Sequence, residues 1–168
     1  MKHDHSFFNR YCVDVARDLI GKTLVFGTHQ GIITETEAYR GMDDPASHAY
    51  RGITPRSAVM FGRPGTSYVY FIYGMYHCLN VVTEAEGSAS AVLIRGLKLT
   101  TAPFTHLNGP GKLCRHLEIT TEHSGLDLLT HDSFYITTGI PLKNIEATPR
   151  IGIKKATEKL WRFTGDLK

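Results

Sequence analysis

Long apolar runs are missing from this sequence of 168 residues. Nowhere do about 18 consecutive apolar residues occur, the length a helix needs to cross a bilayer, and the stretch Met1 to Asn9 is too polar for the core of a signal peptide. A soluble, intracellular, monomeric protein with no membrane partner is expected. Cysteine is scarce: Cys12, Cys78 and Cys114 are far apart and in no CxxC pair. Neither a disulfide framework nor a zinc knuckle is expected of them, and all three read as reduced core residues. The nine histidines lack an HExxH or CxxC companion, so no metal site and no cofactor are predicted. Charge of one sign is not in large excess either: the formal net charge is +3, which permits a polyanionic partner without requiring one. Repeats, low-complexity tracts and Ser/Pro-rich linkers are absent, which leaves one domain over residues 1–168 as the expectation.

What is present suits a core of ordinary size, since 42% of the residues are hydrophobic and no staple is needed to hold such a chain together. Helical spacing of Val13, Ala16, Leu19 and Ile20 predicts a helix from Asn9 to Gly21, with Gly21 placed to end it. Thr23 to Phe26 and Ile32 to Tyr39 read as strands joined through Gly27 to Gly31. Ser67 to Tyr73 and Tyr76 to Thr83 read as a second hairpin around Gly74, and Ala89 to Leu97 as a further strand. After Gly109-Pro110-Gly111, Leu113 and Leu117 suit a short helix over Lys112 to Ile119. Phe134 to Thr137, Arg150 to Ile153 and Leu160 to Phe163 look like short strands. The class is therefore α+β, a mostly antiparallel sheet with peripheral helices.

Two features depart from a plain core pattern. Alternation along Ile32 to Tyr39 predicts Ile33, Glu35, Glu37 and Tyr39 on one face. These acids fit either a solvent-facing edge strand or a pairing with Arg95, which sits in the apolar run Val92-Leu93-Ile94 and needs a partner if buried. A guanidinium beside a carboxylate also keeps it ionised and able to take a proton from water. The second feature is the run Ser67 to Tyr76, with four tyrosines in ten residues. They fit a strand core, or a platform where each stacked base is worth roughly 1–3 kcal/mol. Tyr73 and Met75 flank Gly74 at the hairpin tip, where a wedge entering a base stack would sit. Arg51, Arg56 and Arg63 form one basic cluster and Lys112 and Arg115 another, each suited to a solvated surface or to phosphate.

Thr34 to Tyr39, His48, Thr54-Pro55-Arg56, Met60-Phe61, Pro64-Gly65-Thr66 and Tyr68 to Tyr76 closely resemble the alkyladenine DNA glycosylase family. The likeness continues through Asn80, Val92 to Arg95, Gly109 to Cys114, Arg150 to Ile153 and Arg162-Phe163, and so covers effectively the whole chain. It implies a curved sheet and a base-excision-repair enzyme acting on double-stranded DNA. Such an enzyme flips an alkylated or deaminated purine from the duplex, of the 3-methyladenine, 7-methylguanine, hypoxanthine and ethenoadenine class, and hydrolyses its N-glycosidic bond to leave an abasic site. Carried over by position, Glu37 is the general base. Arg95 helps hold the attacking water, and the main-chain carbonyl of Ile151 gives that water another acceptor. Tyr39, His48 and Tyr70 sandwich the extruded base, the backbone around Ala46 and His48 meets its edge, and Asn80 crowds the 2-amino group of guanine. Tyr73 fills the gap in the duplex, and Thr54, Arg56, Met75, Tyr76 and Lys112 line the DNA. No lysine falls in the pocket set, which speaks against a Schiff base and strand cleavage.

This chain departs from the family pattern in a short loop from Arg95 to Gly109 and in one residue fewer between His48 and Thr54, which leaves Arg51 without an assigned role. The reading also sets a register: a three-residue loop Gly74 to Tyr76 would place Tyr70 directly opposite Asn80, whereas a two-residue turn would send them to opposite faces. The main rival is a non-catalytic nucleic-acid-binding β domain that stacks bases on its tyrosines; a metal-dependent nuclease is a second.

Overall fold

The computed structural model describes residues 2–41 and 43–167. The β-branched and aromatic segments form one nine-stranded antiparallel sheet among these residues. Its strands are β1 (Thr23–Phe26), β2 (His29–Tyr39), β3 (Ser67–Ile72), β4 (Tyr76–Thr83), β5 (Ser90–Leu99), β6 (His106–Asn108), β7 (Phe134–Thr137), β8 (Lys143–Thr148) and β9 (Arg162–Asp166). The spine runs β3-β4-β5-β2-β1-β7, with β6 on the second half of β5, β9 on the second half of β2 and β8 on β9. The sheet curls into a half-barrel, and with its few helices the class is the expected α+β. No helix among the described residues is long and apolar enough to cross a membrane.

The helices are α1 (His5–Phe8), α2 (Cys12–Leu19) and α3 (Pro110–Leu117). Cys12, Val15, Ala16 and Leu19 recur at helical spacing and are the buried face of α2. Thr36 Oγ1 donates to the Ala16 carbonyl at 2.8 Å, which ties that helix to β2 from the core side. Ile33, Ala38, Leu79, Val81, Val92, Ile94 and Leu97 belong to the same buried cluster, together with Cys12 and Cys114.

Strand β2 does not alternate evenly, contrary to the period-two reading. Ile33 lies opposite Leu97, Glu35 opposite Gly96 and Thr36 opposite Ile94, so the ladder slips between Ile33 and Thr36. A bulge of this kind flips the faces beyond it. Ile33 therefore joins Ala38 and Ile94 in the core, while Glu37 and Tyr39 turn to a cavity on the other side. Gly96 makes the close approach possible, because a Cβ there would sit 2.6 Å from Thr34 Oγ1 and 3.0 Å from Glu35 Cβ.

Other boundaries also differ from the sequence pattern. Arg150 to Ile153 is a turn and not a strand, shaped by Gly152 at φ +73°. The strand nearby is instead β8, whose residues are exposed or only partly buried, so no apolar alternation marks it. The β3–β4 loop has the expected three residues but they are Tyr73 to Met75, with Tyr70 opposite Cys78 and Asn80 opposite Tyr68. Tyr73 and Gly74 take φ of +57° and +65°, the left-handed pair of a type I′ turn, closed by Met75 N–H donating to the Ile72 carbonyl at 3.2 Å. The odd loop length keeps Tyr70 and Asn80 on one face, one step off the direct pairing.

If Gly96 is where the two strands meet too closely for a side chain, Gly96→Ala should destabilise the fold by about 1–3 kcal/mol through overpacking. Denaturant unfolding measures this; a midpoint equal to that of the parent would contradict the close approach.

Candidate active site

The concave side of the β2–β5–β4–β3 region encloses a cavity of about 420 Å³, within the roughly 300–1,000 Å³ of small-molecule sites. It gathers Glu37, Tyr39, Ala46, His48, Tyr70, Tyr73, Tyr76, Asn80, Arg95, Lys112 and Ile151 on one lining. Thr54, Arg56 and Met75 are not part of it. Thr54 lines an adjoining groove, Arg56 holds its guanidinium 5.2 Å from the Tyr70 ring centre, and Met75 is 59% exposed at the hairpin tip. Lys112 corrects the expectation that no lysine enters the set: it is exposed, in the first turn of α3, and reaches the lining from there.

Glu37 has no solvent-exposed surface. Its Oε2 accepts the Ile151 N–H at 2.6 Å and its Oε1 accepts the Tyr39 hydroxyl at 2.8 Å. Arg95 Nε lies 3.8 Å from Glu37 Oε2 but donates to Glu35 Oε2 at 3.0 Å. The close partner of Arg95 is thus Glu35, which also accepts Arg162 Nε at 2.6 Å. Burial pushes the Glu37 carboxyl above the ordinary glutamate range, more than the Ile151 N–H, the Arg95 charge and the Tyr39 hydroxyl pull it down.

The aromatic walls come from three elements. His48 and Tyr70 pack edge to face with ring centres 4.4 Å apart and planes at 70°, and His48 Nδ1 lies 3.2 Å from the Tyr68 hydroxyl. Burial, helped by the Arg56 charge, lowers the His48 pKa to about 4, so the ring is neutral at neutral pH. Tyr39 stands beside the carboxylate. Asn80 donates its amide hydrogens to the carbonyls of Tyr68 and Cys78 at 3.1 and 3.4 Å, which fixes it in place. The N–H of Ala46 is taken by Asp44 Oδ1 at 3.1 Å, so Ala46 can offer a ligand only its carbonyl. Tyr73 is 76% exposed at the rim. Gly111 explains part of the Gly-Pro-Gly motif, because a Cβ there would meet the Tyr76 ring at 2.6 Å.

Sequence reasoning missed the residue that clamps these parts together. Arg150 and Asp44 are fully buried and paired, with Nη1 to Oδ2 at 2.6 Å and Nη2 to Oδ1 at 3.0 Å. Asp44 also accepts the Arg40 N–H at 3.0 Å, and Arg150 donates to the Ala38 carbonyl at 3.0 Å and faces the Tyr39 and Trp161 rings. One ion pair therefore joins the end of β2, the Ala46–His48 loop and the turn that carries Ile151. A cation flanked by Pro149 and Ile151 was the one local sign of it. Cys78 and Arg162 were likewise given no role at the site, although Cys78 lines the cavity; the expected pairing of an acid with Arg95 falls to Glu35. Among the described residues no group of three or more His, Cys, Asp or Glu is placed to hold a metal ion. Asp44→Asn, which leaves a buried guanidinium without its counter-charge, should cost about 3–5 kcal/mol in denaturant unfolding; a loss under about 1 kcal/mol would show that the pair is not sealed from water.

Residues 6–167 match the model of the family described as Methylpurine-DNA glycosylase. The chain is 58% identical over 161 residues to a protein of Ehrlichia chaffeensis, covering 94% of this chain and 89% of that one. It is 57% identical over 160 residues to a protein of Sodalis glossinidius, covering 94% and 93%. A Wolbachia protein (subspecies Brugia malayi) is 57% identical over 159 residues, covering 94% of both. All three carry the name "Putative 3-methyladenine DNA glycosylase". The resemblance read from the motifs is thus a relation along nearly the whole sequence, and the chain belongs to the methylpurine-DNA glycosylase family.

Proposed function

We propose that this chain excises alkylated purines from duplex DNA by hydrolysis, with Glu37 as the base that activates water. The observation that carries this is the sealed Glu37 carboxylate in the lining of an aromatic cavity, with the Arg95 guanidinium beside it. A pure binding domain would gain nothing from a buried carboxylate near phosphates, which it repels.

A base inside a duplex hides its glycosidic bond, so the nucleotide is first extruded at a cost of a few kcal/mol in stacking and pairing. Tyr73, exposed on its left-handed turn, fills the gap and offsets part of that cost. The extruded purine enters between Tyr39 on one side and the His48–Tyr70 pair on the other. Neutral His48 does not repel a cationic lesion such as 3-methyladenine, and the tyrosine faces attract it. Asn80, held by two backbone carbonyls, has no freedom to yield to the 2-amino group of guanine. Water, held by Glu37, Arg95 and the Ile151 carbonyl, then attacks C1′. Its proton passes to Glu37 and the electrons of the glycosidic bond pass to the purine, which leaves neutral. The negative carboxylate also stabilises the positive charge that develops on the sugar. The product is an abasic site, because the group at the reacting centre is a carboxylate, whereas Lys112 is exposed at the rim.

Glu37→Gln should keep affinity for a lesion-bearing duplex and lower single-turnover excision by at least about a hundredfold; near-parental excision would remove Glu37 from the mechanism. Because ionised Glu37 is the active form and burial raises its pKa, the excision rate on a cationic lesion should rise with pH. It should fall away tenfold per unit below that pKa, with a midpoint above that of an ordinary glutamate. A rate flat down to strongly acid conditions contradicts this. Borohydride added during turnover should trap no protein on DNA; a covalent adduct lost in Lys112→Gln would show a lyase step.

A further inference from the structure

A second depression of about 430 Å³ runs between the 45–54 loop and residues 152–155. It shares Ala46, His48, Gly152 and Ile153 with the first cavity, so the two are continuous along one wall. Its lining carries three cations, Arg51, Lys154 and Lys155, and no acid. All three are exposed, and none has a hydrogen bond, ion pair or ring contact among the described residues. Arg40, Arg95, Arg150 and Arg162, by contrast, each hold a carboxylate. Unpaired cations on a concave wall focus potential onto an anion.

We propose that this groove is a phosphate site for the DNA backbone flanking the extruded nucleotide, with Arg51, Lys154 and Lys155 as its contacts. The argument rests on the proposed function, and chemistry dictates the location. A nucleotide turned into the first cavity keeps both of its phosphates, which stay outside at the mouth, and the continuous wall is where cations meet them. One segment does both jobs: Ile151 holds Glu37, and three residues on, Lys154 faces the groove. Arg51, which the motif likeness left without a role, lies on this wall.

The test is the salt dependence of binding to a duplex carrying a tetrahydrofuran abasic analogue. Each phosphate contact contributes a slope of about −0.9 in log K against log salt. The triple variant Arg51→Gln/Lys154→Gln/Lys155→Gln should lose about 2–3 from that slope, and the control Lys22→Gln/Lys143→Gln should lose none. A triple-variant slope equal to the parent's overturns the groove. Parental protein that releases no purine while the slope still falls would sink the glycosylase reading and leave the phosphate site standing.

A separate observation, the charge cluster behind Arg95, carries a second inference. Glu35 Oε2 stands between Arg95 Nε at 3.0 Å and Arg162 Nε at 2.6 Å, Arg162 Nη1 is anchored on Thr148 Oγ1 at 3.0 Å, and Arg162 lies opposite Glu37 in the β2–β9 ladder. The geometry points to Glu35 and Arg162 as positioning residues that hold Arg95 off Glu37 and thereby set the proton affinity of the base. The other groups that bear on Glu37 are Tyr39 on β2, Cys78 on β4 and the Ile151 N–H, with Arg150 behind Tyr39. Without Glu35, Arg95 would relax the short distance onto Glu37, favouring its ionised form and occupying the lone pair that water needs. Without Arg162, the negative charge of Glu35 acts undiluted and favours protonation.

The two variants should therefore move the acid limb of the excision profile in opposite directions, by about half to one pH unit each. Glu35→Gln shifts the midpoint down with a slower plateau, Arg162→Gln shifts it up, and Arg162→Lys restores it. A merely structural role would lower stability and leave both midpoints in place. Unmoved midpoints, or shifts of one sign, overturn the inference; should Glu35→Gln fail to fold, the Arg162 pair decides alone.

Discussion

The structure turns on taking one carboxylate out of water and keeping it usable. Glu37 is sealed, yet it accepts an N–H and a hydroxyl and has a guanidinium 3.8 Å away. Burial penalises its charge and these three contacts offset part of the penalty, leaving a net rise in pKa. The sign has a consequence for stability. A carboxyl bound more tightly to its proton in the fold contributes stability that is fullest where it is protonated and is lost as pH rises from the unfolded value through the folded one. Glu37 in its ionised form is therefore a strain on the fold, as a charge held away from water is.

The rest of the fold can be understood as holding that arrangement. The bulge opposite Gly96 turns Glu37 and Tyr39 away from the core and leaves Thr36 and Ala38 on the core side, where Thr36 holds α2. Strand β2 forks, meeting β1 along its first half and β9 along its second, and the fork brings Arg162 beside Glu35. The Arg150–Asp44 pair draws the 44–48 loop and the Ile151 turn against the end of β2, which closes the cavity from two sides. Opposite them, the β3–β4 hairpin presents Tyr70 to the interior and Tyr73 to the outside from one strand and its turn, because the reversal at Tyr73 breaks the alternation there.

Much of this was legible in the sequence. The strand that carries Glu37, the tyrosine hairpin and the helix after Gly109 follow from local pattern, the three-residue length of the hairpin loop was a requirement of the pocket reading, and the motifs gathered eleven named residues onto one lining. What local pattern could not show was long-range. The slip at Gly96 depends on a clash between strands that no single strand records, so Ile33 was placed on the wrong face. Arg150 and Asp44 are more than a hundred residues apart, and nothing in either segment announces the other. Strand β8 buries too little to leave a period. Glu35, read as a companion of Glu37, proved to be the counter-charge of two arginines.

The account is tested most directly by a crystal structure of the Glu37→Gln protein on a duplex containing a single ethenoadenine. It predicts the lesion everted between Tyr39 and the His48–Tyr70 pair, Tyr73 in the vacated stack, and a water between the residue 37 side chain and C1′. A lesion still stacked in the helix, or a base lodged anywhere but that cavity, would contradict it.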